Sequence, residues 1–159
     1  MTTPDDLDIR VQRIDGPQTH ALRHAVLRPH QTLSEMVYDG DCHADTIHLG
    51  AFVGRETTPV GVVTLNPTPM PGSPSEGDWR LRGMAVAEAA QGTGVGRRLV
   101  EHALIEVAKR NGKRLWCNAR VTARGFYEKL GFAAHGDVFE IVPIGPHYVM
   151  SADTRDRNR

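Results

Sequence analysis

An excess of either charge is absent from this sequence: Lys plus Arg and Asp plus Glu number 19 each among 159 residues. No overall basic field draws the chain to nucleic acid and no acidic field repels anionic ligands, so any anion site has to be local. Cysteine is scarce. Cys42 and Cys117 lie far apart and make neither a CxxC pair nor a disulfide series, which favours a reducing cytoplasm over secretion and reads Cys117 as a small core residue. Nowhere do about eighteen apolar residues follow one another, so no spanning helix is expected and a membrane is not among the expected partners. The opening MTTPDDLDIR lacks the basic start and apolar run of a secretory leader. Internal repeats are missing too. The length fits one domain over residues 1–159, with polar residues 1–6 and 153–159 as frayed ends.

What is present is periodicity. Residues 7–14 alternate apolar and polar side chains, the pattern of a strand with one buried face. Residues 19–27 carry Ala21, Leu22, Ala25 and Val26 at helical spacing, and Pro29 stops that helix near Arg28. Strands at 46–53 and 60–65 flank a turn at 54–59 and should pair antiparallel. Four prolines and two glycines mark 66–77 as an exposed loop. Residues 79–86 read as a strand, 95–110 as an amphipathic helix closed by Asn111-Gly112, 114–118 as a short strand and 121–130 as a helix ended by Gly131. Strand, helix, strand, helix is a crossover unit, so the strands at 79–86 and 114–118 should be parallel. Residues 132–150 add one or two closing strands. The expected fold is mixed α/β (α+β), a sheet of roughly six or seven strands flanked by helices.

Between strand and helix stands Gln91-Gly92-Thr93-Gly94-Val95-Gly96. Amides without helical partners and the positive end of the helix dipole converge there, and a phosphate would be stabilised. Arg97 and Arg98 add charge one turn on. A Rossmann site needs GxGxxG, but Arg97 occupies the third glycine's place, and a Walker loop needs Gly-Lys-Ser or Gly-Lys-Thr, which the sequence lacks. A plain turn whose glycines end a strand remains the competing account.

Met84-Ala85-Val86, the loop Gln91 to Gly96 as Q/R-x-x-G-x-G/A, Leu99, and Phe126-Tyr127-Glu128-Lys129-Leu130-Gly131-Phe132 as FYxxxGF together resemble the GNAT superfamily of N-acetyltransferases. The resemblance is firm over residues 79–132. It implies transfer of an acetyl group from acetyl-CoA, a co-substrate, to a primary amine of a small molecule or peptide by direct attack in a ternary complex. It implies that Met84, Ala85 and Val86 meet the pantetheine arm and thioester carbonyl. Gln91, Gly92, Thr93, Gly94, Val95 and Gly96, with Arg97, would hold the pyrophosphate, and Tyr127 would protonate the departing thiolate. A non-catalytic acyl-CoA-binding module is the alternative. Tyr127 is otherwise a core tyrosine beside Phe126 and Leu130.

Around that site the residues leave choices open. Asn118, at a strand end, is a candidate hydrogen-bonding partner of the pantetheine, or else a turn former. His147 titrates in the range a base for the amine requires, or is a structural histidine after Pro146; Glu140 is a poorer candidate. Arg28 can fork a carboxylate on the acceptor, or be solvated. Asp39, Asp41, Cys42, His43, Asp45 and His48 have ligand chemistry but fit no standard zinc or calcium spacing, and no metal is expected. The acceptor pocket is expected in the loops at 28–42 and 67–78, and a homodimer is compatible with all of this.

Overall fold

The strands, in chain order, are β1 (Ile9–Ile14), β2 (Ile47–Val53), β3 (Gly61–Pro67), β4 (Asp78–Val86), β5 (Arg114–Arg120), β6 (Ala133–Ile141) and β7 (Gly145–Asp153). They form a seven-stranded sheet in the order β1-β2-β3-β4-β5-β7-β6, flanked by helices, in a computed structural model that describes residues 8–155. The main helix is α2 (Val95–Lys109); α1 (His20–Leu22) and α3 (Arg124–Lys129) are short. The chain divides into two compact units, one of residues up to Asn66 with Gly83–Ala103, the other of Pro67–Arg82 with residues from Leu104 on. Residues 1–6 and 156–159, read above as frayed, and Leu7 of the first predicted strand lie outside the described residues. Among the described residues no helix is long and apolar enough to cross a membrane.

In the first unit, β1 and β3 both pair antiparallel with β2, with Ile14 opposite His48 and Leu49 opposite Val63. The hairpin read from two apolar runs around a polar turn is therefore present. Every residue of β2 up to Phe52 is buried, because both of its faces are covered. The first helix is less regular than its apolar spacing predicts. It runs as a 3-10 turn (Gly16–Thr19), then α1, then a wide π-type turn (Arg23–Leu27) closed by the Arg28 N–H on the Arg23 carbonyl. Pro29 then prevents continuation, as expected. Leu22, Val26 and Leu27 pack on Ile14, Phe52, Val62 and Ala85, so the apolar stripe does its work despite the altered hydrogen bonding.

The stripe of α2 is buried from Val95 through Leu99, Val100 and Ala103. It rests on β3 at a glycine: a Cβ on Gly61 would lie 2.8 Å from both Val95 Cγ1 and Leu99 Cδ1. Backbone-to-helix contact this close requires the missing side chain. Gly61→Ala is expected to destabilise the protein by about 1–3 kcal/mol through overpacking, read as a lower urea midpoint at unchanged slope.

In the second unit, β4 and β5 run parallel, with Asp78, Trp79 and Arg80 opposite Arg114, Leu115 and Trp116. The crossover rule is met. β5 extends two residues past its predicted end at Asn118 because β7 pairs with it throughout, Asn118 facing Val149 and Arg120 facing His147. The closing segment is a β6–β7 hairpin whose last strand inserts beside β5. Asn111 itself, at φ 63°, takes the left-handed cap after α2, while Gly112 is required for packing, since a Cβ there would lie 2.7 Å from Trp79 Cδ1. The frayed C-terminal end was placed too early. Asp153 closes β7, and Thr154 is buried, its N–H donating to the Lys113 carbonyl and its hydroxyl to the Gly112 carbonyl.

Candidate active site

β4 changes course inside the first unit. Gly83 sits at φ 63°, a conformation that interrupts the pleat, and Met84, Ala85 and Val86 follow it. The strand end is held by the Ala87 N–H on the Val60 carbonyl, and Gln91 Nε2 reaches back to the Val86 carbonyl. Gln91 therefore ties the loop to the strand. Gly92 and Gly94 stand at φ 79° and 92°, and the space beside Gly92 is open. The Thr93 hydroxyl donates to the Ala90 carbonyl, and the bond from the Arg98 N–H to the Gly94 carbonyl is the first helical one. The amides of Val95 and Gly96, ahead of it, have no acceptor within the helix. A diphosphate fits this cradle: no side chain projects from the two glycines, and the helix dipole adds positive potential.

The largest buried polar group in this unit went unrecognised in the sequence. Arg23 is 0% exposed, and its guanidinium donates to both oxygens of Asp41 (2.6 and 3.0 Å), to the Met36 carbonyl (2.7 Å) and to Thr64 Oγ1 (2.8 Å). Tyr38 stacks over it at 4.0 Å. His48 continues the network: Nε2 donates to the Asp41 carbonyl, and Nδ1 shares a hydrogen bond with the Thr64 hydroxyl. Burial would raise the Asp41 pKa, but the bonds from Arg23 and the Tyr38 amide, with the charges of Arg23 and His48, outweigh it and hold the carboxyl below its usual range. Arg23 also abuts Gly83, where a Cβ would lie 3.1 Å from its Nε. Two of the six residues considered as metal ligands, Asp41 and His48, are thus engaged here, and among the described residues no three of His, Cys, Asp or Glu are grouped to hold a metal. Arg28, given the acceptor role from sequence, lies half-buried where the wide turn ends.

The second unit holds the other predicted residues. Asn118 lies within β5 rather than at its end, and its Oδ1 is buried with no hydrogen-bond partner. An orphaned acceptor of this kind is destabilising unless a ligand or water satisfies it. Tyr127 is 6% exposed on α3, edge-on to Phe126 at 5.0 Å and Phe132 at 5.2 Å. Burial, and then the neighbouring Cys117, push its pKa well above the usual tyrosine range, so it stays protonated. Burial likewise pushes the Cys117 thiol up to about 12, Arg80 opposing it, which makes that cysteine inert. His147 is 5% exposed, a buried strand residue with Phe139 6.0 Å away and not a surface group. Its Nδ1 donates to the Gly145 carbonyl, so the neutral ring carries its lone pair on Nε2. Glu140 is exposed.

Comparison with known proteins agrees with this architecture. Residues 18–132 match the model of the acetyltransferase (GNAT) family. The Bacillus subtilis (strain 168) protein called uncharacterized N-acetyltransferase YitI is 34% identical over 142 residues, 89% of this chain and 94% of its own. Escherichia coli ElaA superposes with a TM-score of 0.74 at 19% identity, over 91% of this chain and 99% of that one. An aminoglycoside 6'-N-acetyltransferase complexed with coenzyme A does so with a TM-score of 0.67 at 18% identity, over 91% and 97%. With the family model spanning most of the chain and a relative 34% identical over 142 residues, the protein belongs to the acetyltransferase (GNAT) family.

Proposed function

We propose that the protein moves an acetyl group from acetyl-CoA to a primary amine of a small molecule or peptide, by direct attack in a ternary complex. The observation that carries this is the loop Gln91 to Gly96, with two glycines in left-handed conformations and unsatisfied amides at the start of a 15-residue helix. The coenzyme complex of the aminoglycoside acetyltransferase supports the choice of acyl carrier. Loop and first-turn amides, with the charge of Arg97, hold the diphosphate. Backbone groups of Met84, Ala85 and Val86, which follow Gly83, take the pantetheine arm and stabilise the charge that develops on the thioester oxygen. Asn118 Oδ1 accepts a hydrogen bond from the arm.

The amine nitrogen bonds to the thioester carbon, and the carbon–sulfur bond breaks. His147 Nε2 takes the proton released by the amine, and the Tyr127 hydroxyl gives one to the departing sulfur. The free cysteines, Cys42 exposed and Cys117 buried, support a reducing cytoplasmic setting.

Thiol release from acetyl-CoA across a broad panel of amines and peptides tests the reading. Amine-dependent release is expected, whereas tight coenzyme binding with no release from any acceptor would leave a binding module instead. Gly94→Val forces a branched side chain into φ 92° and is expected to raise the coenzyme dissociation constant by about tenfold, measured by titration calorimetry.

A further inference from the structure

Cations buried in a protein ordinarily have a carboxylate, and one half-buried arginine in the second unit has none. The Arg80 guanidinium of β4 lies over the ring of Trp116 at 5.1 Å, and its Nε is buried with no hydrogen-bond partner among the described residues. The acid two residues away on the same face of the strand, Asp78, is fully engaged. Its oxygens accept from Arg114 Nε (2.8 Å) and Nη2 (2.9 Å) and from the amides of Met70 (3.0 Å) and Ser75 (2.8 Å). Arg114 thus occupies the carboxylate that would otherwise neutralise Arg80. Burial, then the like charge of Arg82, pull the Arg80 pKa down to about 10, with the Cys117 thiol, and no carboxylate, acting in the other direction. At neutral pH it is still a cation, held where a cation is disfavoured.

We infer that Arg80, with the added positive charge of Arg82 and the Trp116 ring beneath it, is the recognition site for a carboxylate on the acceptor amine. The inference rests on the acetyl-transfer reading and moves the acidic-group contact from Arg28 to β4. The stacking geometry selects this ligand. Lying on an aromatic ring occupies the face of the guanidinium and leaves its in-plane N–H groups available, and those donors form a fork that matches the two oxygens of a carboxylate. Trp116 is itself fixed, its indole N–H donating 2.8 Å to the Thr68 carbonyl, so the platform does not rotate away.

The test pairs each amino-carboxylate with its own amide, as free amino acids and as dipeptides, and compares kcat/KM in the wild type, Arg80→Gln and Arg80→Lys. A tenfold or greater preference for the acid is expected in the wild type, falling to near parity in Arg80→Gln and to an intermediate value in Arg80→Lys, which keeps charge but loses the fork. The single amino acids and the dipeptides separate a metabolite carboxylate from a peptide C-terminus. In parallel, glutarate is titrated against tryptophan fluorescence, and a change is expected in the wild type that Arg80→Gln lacks. A wild-type ratio near one, or an unchanged ratio in Arg80→Gln, overturns the inference while amine acetylation stands. Failure of every amine with an Arg80-dependent glutarate response would keep the site and remove the acetyl-transfer reading; failure of both removes both.

Discussion

Asp41→Ala is expected to lower the free energy of unfolding by about 3–5 kcal/mol, the range found when one partner of a buried ion pair is removed. The side chains of Arg23 and Asp41 are 0% and 4% exposed, so water cannot take the place of the lost carboxylate. Two of the four bonds from Arg23 disappear, and so does the acceptor of the Tyr38 amide. Arg23 cannot escape by losing its proton. Urea denaturation at neutral pH measures the loss, and a change under about 1 kcal/mol would show that the pair is solvated.

Acid offers an independent check. The Asp41 pKa is held below its unfolded value, so its stabilisation is complete above the unfolded pKa, near 3.9, and fades as pH falls through the lower folded value. The gap between wild type and Asp41→Ala should therefore be constant at neutral pH and narrow only below about pH 4. Arg23→Met combined with Asp41→Leu should recover part of the loss, since a buried pair can be exchanged for apolar groups. Recovery stays partial. The Met36 carbonyl and the Tyr38 amide each lose a partner that no apolar side chain replaces.

Why this network escaped the sequence, when the glycine loop did not, is a matter of range. The loop, the stripe of α2 and the β2–β3 hairpin are set by neighbours within a few residues, and periodicity and glycine spacing report such neighbours directly. Arg23 meets Asp41 and Thr64 across 18 and 41 residues, and the wide turn that begins at Arg23 has no local signature among ordinary helix formers. Arg23 and Arg28 therefore look alike in the sequence, and only the fold separates a fully buried, ion-paired arginine from a half-buried one. His147 shows the same limit: pairing with β5 and β6 buries it, and nothing local to Pro146 reports that pairing. Asp78 falls in the predicted loop at 67–78, and that it opens β4, satisfies Arg114 and leaves Arg80 without a carboxylate is a fact of register.

Tyr127→Phe is expected to reduce kcat by about 100-fold while leaving the fold intact, and the two halves of that statement have to be tested together. General acids contribute roughly 100- to 10,000-fold, and a thiol with a pKa near 8.5 is a tolerable leaving group without one, which puts the effect at the low end. No hydrogen bond to another described residue engages the Tyr127 hydroxyl, so its removal breaks none. The ring contacts with Phe126 and Phe132 persist in phenylalanine. The melting temperature should accordingly stay level or rise as turnover falls, the combination that marks a group kept for chemistry at some expense of stability. A packing tyrosine would behave oppositely, with rate unchanged. Because burial, and then Cys117, hold the hydroxyl protonated well beyond the usual tyrosine range, the wild-type rate should show no alkaline loss from this group below about pH 10. A descending limb near pH 8 that vanished in the phenylalanine variant would mean that Tyr127 ionises far more readily than its surroundings allow.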